Sequence, residues 1–300
     1  MNTAQPANLE QLTALIEQGA IFYISHSGGK DSQAMDILLS AIIPAAQRVY
    51  VYADLGRVVH AGCVEHIEAT TGRRAVRSTP TKFNKAGAAM AVSYFDYHTS
   101  EQVPCPAPQD AFLVCKTTGQ DFLATWDRKG VAPSPAYRQC TSDLKRGPVQ
   151  RTIKKYIADS GVSKLVVDCT GIRAEESSKR AKLVAESTLS VEKKLSKAGR
   201  TWYQYNPVAH TPLEGPQGVW AIIKAAGQKP HAVYASGMSR LSCVFCIMAS
   251  PQDIAIASGL RPELYAEYVA MEKKTGYTLF QGQPLPERVA VGHARLQVAA

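Results

Sequence analysis

The chain has 300 residues, 45% hydrophobic and 20% charged, enough to bury a sizeable core as one large domain or two modest ones, which excludes a disordered, collagenous or coiled-coil protein. With 34 Lys+Arg against 25 Asp+Glu the formal charge is +9, a weak pointer to an anionic partner such as nucleic acid or a nucleotide, although a solvated basic surface is the commoner explanation. Seven cysteines, no hydrophobic leader after Met1 and no apolar run of membrane-spanning length argue against a secreted disulfide framework and against a membrane protein, so the expected location is the cytoplasm.

Leu12, Leu15 and Ile16 predict a first helix, and Ile21-Phe22-Tyr23-Ile24 a short buried strand. The turn Ser25-His26-Ser27-Gly28-Gly29 breaks that strand, and Ala34, Ile37, Leu38 and Ala41 set a helix that Pro44 stops. A second strand runs from Arg48 to Ala53, ends at Asp54-Leu55-Gly56, and precedes a helix carrying Val59, Cys63 and Ile67; Arg74 to Ser78 is a third strand. Between Pro80 and Pro148 the pattern degrades into prolines, small helices and polar connections such as Lys116-Thr117-Thr118-Gly119, read as a lid or insertion over the sheet edge. Alternation returns with a helix from Pro148 to Asp159, a strand Lys164 to Asp168, a polar helix after Gly171, a strand Trp202 to Tyr205 and a helix Val219 to Ala226. Pro262 to Lys274 is an amphipathic helix, and the tail from Gln281 is weakly specified. Such alternation predicts an α/β fold, a doubly wound parallel sheet of Rossmann type with helices on both faces. The expected organisation is an α/β domain over 1–249, with 80–148 as its irregular insertion, and a helical C-terminal extension over 250–300.

The most informative segment joins the first strand to its helix. Two glycines there let the backbone approach a ligand, and the first helical turn points its N–H groups at the same place, backed by the helix dipole. That geometry binds phosphate; Lys30 adds a cation, and Ser27 and Ser32 add hydroxyl donors. Ser-Gly-Gly alone is a common turn, but Ser27-Gly28-Gly29-Lys30-Asp31-Ser32 after an apolar strand resembles the PP-loop of the adenine nucleotide alpha hydrolase superfamily, which cleaves ATP between the alpha and beta phosphates or binds adenylyl sulfate. It lacks the spacing of a Walker loop.

Further segments follow the order of the phosphoadenosine phosphosulfate (PAPS) reductase-like branch of that superfamily. Asp54-Leu55-Gly56 resembles its Asp-Thr-Gly, with Leu55 departing from threonine, and Gly171-Ile172-Arg173-Ala174-Glu175-Glu176-Ser177 resembles its Gly-x-Arg-x-x-Glu-Ser. By that resemblance Asp54, Gly56, Gly171, Arg173 and Glu176 join Ser27 to Ser32 around the nucleotide, and Lys30, Asp31 and Arg173 carry the chemistry, Arg173 as a phosphate contact; Arg173 and Glu176 as a surface ion pair is the bland alternative. Mg²⁺ is expected with ATP, placed by Asp31 or Asp54. His26 adjoins the loop, where a ligand contact and plain packing are equally open.

Cys243-Val244-Phe245-Cys246 is a Cys-x-x-Cys, the spacing of a metal centre or a redox pair. The segment Arg138 to Pro148, with Cys140 and Lys145, resembles the branch's cysteine-lysine-proline stretch, and Tyr234 to Ser242 resembles its lead-in to the cysteine pair. The resemblance implies that Cys140, Cys243 and Cys246 hold a 4Fe–4S cluster, with zinc as the alternative. A cubane normally takes four thiolates. Reductases of the branch have two adjacent upstream cysteines where this chain has Gln139-Cys140, so the fourth iron is open or is completed by a residue such as Cys115 or Cys169.

Two functions of different class follow from the resemblance. One activates an acceptor, a nucleic acid being favoured, by adenylation for sulfur transfer, with a sulfur donor such as a cysteine desulfurase; the other reduces adenylyl sulfate or its 3′-phosphorylated form. Thioredoxin-linked reductases carry a catalytic cysteine in a C-terminal tail, and no cysteine follows Cys246 here, which favours the first. A nucleotide-binding regulator without catalysis is a third reading. From Leu144 to Arg200 there are 14 Lys+Arg against 6 Asp+Glu, a net +8 that includes Lys193, Lys194 and Lys197 and suits a nucleic acid as well as solvated helix faces.

Overall fold

The computed structural model describes residues 5–78, 94–116, 121–186, 188–196 and 199–299. Parts of the expected insertion (80–93 and 117–120) and Lys197 lie outside the described residues. In chain order the first elements are α1 (Leu9–Glu17), β1 (Ile21–Ser25), α2 (Lys30–Ser40), β2 (Arg48–Asp54), α3 (Cys63–Thr71) and β3 (Ala75–Ser78). Then come β4 (Tyr94–Asp96), β5 (Gln102–Val103), β6 (Phe112–Lys116), α4 (Phe122–Lys129), α5 (Gln139–Thr141), a π-helical segment Ser142–Arg146 and α6 (Gly147–Ser160). The remainder is β7 (Leu165–Thr170), α7 (Ser178–Glu186), β8 (Leu189–Val191), β9 (Thr201–Tyr205), α8 (Val219–Ala225), α9 (Pro251–Leu260), α10 (Pro262–Thr275) and α11 (Leu285–Ala299).

Among the described residues the strands form one nine-stranded sheet in the order β5-β4-β3-β6-β2-β1-β7-β9-β8. β1 pairs in parallel with β2 on one side and β7 on the other, and β3–β6 and β7–β9 are also parallel; antiparallel pairs, β3–β4–β5 and β8–β9, close both edges. This is the α/β, mostly parallel architecture that the alternation predicts. The interval read as an insertion is part of the sheet: β6 sits between β3 and β2, because Phe112 to Val114 are fully buried apolar residues that need cover on both faces.

The chain divides into two compact units. The first comprises 1–52, 64–115 and 149–230, and its core joins Tyr23, Val49, Val51, Leu113, Ile153, Tyr156, Val166 and Trp202 under the sheet. The second comprises 53–63, 116–148 and 231–300, and its core joins Phe122, Trp126, Val244, Phe245, Ile254, Leu264, Tyr268 and Leu285. The weakly specified tail is helical from Leu285, and α11 packs closely on α9: a Cβ at Gly292 would stand 2.0 Å from the carbonyl oxygen of Pro251. No helix among the described residues is long and apolar enough to cross a membrane.

Candidate functional site

In the first unit, chain connections run from β1 to β2 on one side and from the far side into β7 on the other. An open parallel sheet gains a crevice at such a reversal, beyond the carboxyl ends of the two strands. The segments leaving β1 and β7 are Ser25 to Lys30 and Gly171 to Arg173, two of those the sequence singles out. Their contact is tight: a Cβ on Gly171 would lie 3.0 Å from the carbonyl carbon of Asp31 and from the nitrogen of Ser32. Gly171 is therefore required by the close approach of two backbones, a reason beyond any nucleotide contact.

The loop itself is held by its own short side chains. Gly28 has φ +76, open to glycine at little cost, and Gly29 turns back to an extended conformation and precedes α2 with no side chain capping the helix. Ser32 Oγ donates to the carbonyl of Gly29 (2.9 Å) and accepts from the N–H of Ser27 (3.1 Å), while Ser27 Oγ lies 3.1 Å from Ser32 Oγ. A helix start left without a side-chain cap, behind a glycine turn, is the arrangement that receives an anion.

Charge gathers at the same point. Lys30 is 5% exposed, its Nζ 3.4 Å from Asp31 and 5.9 Å over the ring of Trp220. Arg173, 4% exposed, donates from Nε to the other oxygen of Asp31 (2.6 Å) and from Nη1 to Glu175 (2.8 Å) and the carbonyl of Thr211 (3.3 Å). Asp31 thus bridges the two cations, and the surface-pair alternative for Arg173 fails: its side chain turns inward to the loop. Glu176 accepts the N–H of Arg173 (3.1 Å) and pairs with Arg180, shaping the turn rather than facing the cations. Glu175 and Trp220 belong to this group of side chains and had no assigned role in the sequence; Glu175 stands inside the quoted motif, whereas nothing around Trp220 marks it.

His26 is 2% exposed, and its Nδ1 accepts the N–H of Gly28 (3.0 Å). Burial lowers its pKa to about 3, so the ring is neutral at physiological pH.

Asp54 and Gly56 fall in the second unit, where Asp54 Oδ1 accepts the N–H of Gly56 (2.7 Å; Gly56 φ +67) in an Asx turn that ends β2. The cysteines of that unit are set by three local devices. Tyr234 accepts through its hydroxyl from the N–H of Leu241 (3.3 Å), and buried Asp253 accepts from both the N–H and the hydroxyl of Ser239 (2.7 Å each), which fixes the lead-in to Cys243. Val244 N–H donates to the carbonyl of Val58 (2.9 Å), and Cys243 bridges Val59. The π-helical turn after Cys140 widens the spacing, so that Cys140 and Lys145 both meet the pair.

Cys140, Cys243 and Cys246 share this neighbourhood against Phe245, Trp126 and Tyr268, with the rings of Phe245 and Tyr268 5.1 Å apart. Burial raises the thiol pKa of Cys140 and Cys243, and Lys145 opposes the rise at Cys243; the nearby sulfurs in turn raise the pKa of Lys145, Cys243 foremost. Lys145 is the cationic partner of the thiols, a residue the motif contained but to which the sequence reading gave no role. Among the described residues no set of three or more His, Cys, Asp or Glu side chains is arranged to hold a metal ion, so the three thiols share a neighbourhood without being arranged as a ligand set. Cys115 and Cys169 lie in the sheet of the first unit, both buried; burial pushes the Cys115 thiol up to about 12 and that of Cys169 well above its ordinary value, the condition of inert structural thiols.

The fold and this site define an α/β protein with an open, mostly parallel sheet whose glycine-rich strand-to-helix loop, flanked by buried Lys30 and Arg173, sits at the topological switch point. No protein-family model matches the chain. It is 28% identical over 280 residues to an uncharacterized 37.8 kDa protein from the gpa 5′ region of Escherichia phage 186, covering 85% of this chain and 75% of that protein. It is also 28% identical over 159 residues to an uncharacterized protein of Methanocaldococcus jannaschii, covering 53% of this chain and 34% of the relative. Among solved structures it is similar to phosphoadenylyl-sulfate (PAPS) reductase from Candida auris in a phosphate complex, at 15% identity and a TM-score of 0.42, over 78% of this chain and 86% of that one.

Proposed function

We propose that the protein is a PP-loop enzyme that binds ATP with Mg²⁺ and activates an acceptor by adenylation for sulfur transfer. The observation that carries this reading is the loop at the switch point, where an uncapped helix start, Lys30 and Arg173 converge. A polyphosphate supplies the negative charge that the helix start, Lys30 and Arg173 attract, and it frees Asp31 from the two cations to meet Mg²⁺. Positioned cations of this kind stabilise the charge that develops when an acceptor oxygen attacks the alpha phosphorus and pyrophosphate leaves.

A nucleic acid is the favoured acceptor. Lys179, Lys182, Lys193 and Lys194 are exposed on the first unit, and binding through such groups weakens as salt rises. Cys140, Cys243 and Cys246, drawn together by a metal, would supply three of the four thiolates a cubane uses, and Lys145 would offset their charge; when bound, such a centre contributes sulfur and redox chemistry.

Anaerobically purified protein is expected to carry iron and acid-labile sulfide, both lost in a Cys243→Ser variant, and to incorporate sulfur into tRNA or DNA only with ATP and a cysteine-desulfurase sulfur source. Zinc without iron removes the cluster from the proposal. Sulfite released from an adenylyl sulfate by a thiol reductant makes the protein a reductase instead.

A further inference from the structure

We propose that His26 is a positioning residue that presets the phosphate loop for an adenine nucleotide, using Nδ1 as an acceptor that only the Nε2–H tautomer provides. This inference rests on the nucleotide reading of the loop. His26 stands between β1 and the glycine pair, and its backbone N–H continues the β1–β2 ladder by donating to Val51 (3.0 Å). The ring folds forward, so that Nδ1 accepts the N–H of Gly28 at 3.0 Å. A side-chain acceptor at one residue and an N–H two residues on is the geometry of an Asx turn, here built by imidazole. The same device, Asp54 to the N–H of Gly56, ends β2. In both cases the residue that donates is a glycine with positive φ, +76 at Gly28 and +67 at Gly56.

Accepting that bond fixes the proton on Nε2. Nε2 is buried and has no hydrogen-bond partner among the described residues, so an alternative tautomer would gain nothing at Nε2 and would set two N–H donors, Nδ1 and Gly28, against each other. The turn spends the N–H of Gly28 on the imidazole, and the N–H of Gly29 reaches Ser27 Oγ at 3.4 Å, so the loop's own side chains hold both glycines in place. A carboxylate at position 26 would also accept the bond but would set a negative charge beside an anion site. Imidazole, kept neutral by burial, does the same work without that charge.

The experiment compares three variants for ATP and AMP binding by calorimetry, with thermal unfolding as the check on folding. His26→Asn keeps an acceptor at the δ position and is expected to bind within about threefold of the wild type. His26→Gln and His26→Phe have carbon at that position and are expected to bind at least tenfold more weakly. Equal binding by His26→Phe, or an Asn variant as weak as Phe, overturns the proposal. Nitrogen NMR of the labelled histidine in the wild type gives an answer even where a variant fails to fold: a protonated Nδ1 overturns the proposal with ATP binding intact. Failure of the wild type to bind any adenine nucleotide overturns the nucleotide reading itself, and the ligand clause of this inference with it.

Discussion

Replacing Gly171 by alanine tests whether the β7 exit and the start of α2 are as tightly abutted as the geometry requires. The added methyl would stand 3.0 Å from Asp31 C and Ser32 N and 3.1 Å from Asp31 O, where ordinary contacts begin near 3.4 Å, so one backbone must yield by a few tenths of an ångström. Neither yields easily. Thr170 is paired with Ser25 in the β1–β7 ladder, and Asp31 is tied by its side chain to Lys30 and Arg173. Overpacking of this kind costs about 1–3 kcal/mol. For a unit of this size that is a fall of roughly 2–12 °C in the unfolding midpoint. Because the displaced atoms belong to the phosphate loop, ATP affinity should fall with stability. Gly259→Ala is the control: it lies in α9 with open space around it, and alanine there should stabilise by about 0.4–1 kcal/mol. A Gly171→Ala protein that melts and binds ATP like the wild type would refute the close approach.

Acid should destabilise the fold through buried histidines. His26 and His60 have pKa values lowered by burial to about 3 and about 4, so between pH 6.5 and about 4 the unfolded chain takes up protons that the folded chain does not, and stability falls with pH by up to about 1.4 kcal/mol per unit for each ring. Denaturant melts at pH 7, 6 and 5 check this, and a midpoint that does not move across that range contradicts it. Tyr268 is fully buried with a hydroxyl that has no partner among the described residues. Tyr268→Phe should therefore leave the metal-free protein as stable or more stable, by about 1 kcal/mol, in the same melts; a loss of 2 kcal/mol would mean that the hydroxyl is engaged.

What could be read from the chain alone follows from where the physics is local. The loop was legible because an apolar strand, two glycines and a helix start are consecutive, and each residue type has one geometric reason to be there. The pairing of Asp31 with Arg173 was not, since the partners are 142 residues apart and only the sheet order brings β7 beside β1. β6 escaped notice in a proline-rich interval because five residues of apolar strand carry no period that separates them from a loop. The helical character of 250–300 was legible, but the separate bounds of α9 and α11 were not, for a packing reason. α9 buries Pro251, Asp253, Ile254, Ala255 and Ala257, so little polar face alternates with an apolar one. Gly292 weakens the helix signal of α11 at the place where only glycine admits the carbonyl of Pro251. In the second unit the pair Cys243 and Cys246 was legible from spacing and Cys140 from the family resemblance, but Lys145 reaches them through a π-helical turn, a register no α-helical pattern anticipates.

The central claim is that the loop from Ser27 to Ser32 directs attack to the alpha phosphorus of ATP. The most direct measurement follows the phosphate products formed from ATP, Mg²⁺ and a nucleic-acid acceptor, by wild type and by Lys30→Ala. Pyrophosphate from the wild type, matched by adenylyl groups carried on the acceptor and released as AMP only when a sulfur donor is added, with a loss of at least a hundredfold in the variant, is the predicted result. Orthophosphate with ADP, or turnover that does not depend on Lys30, would contradict it.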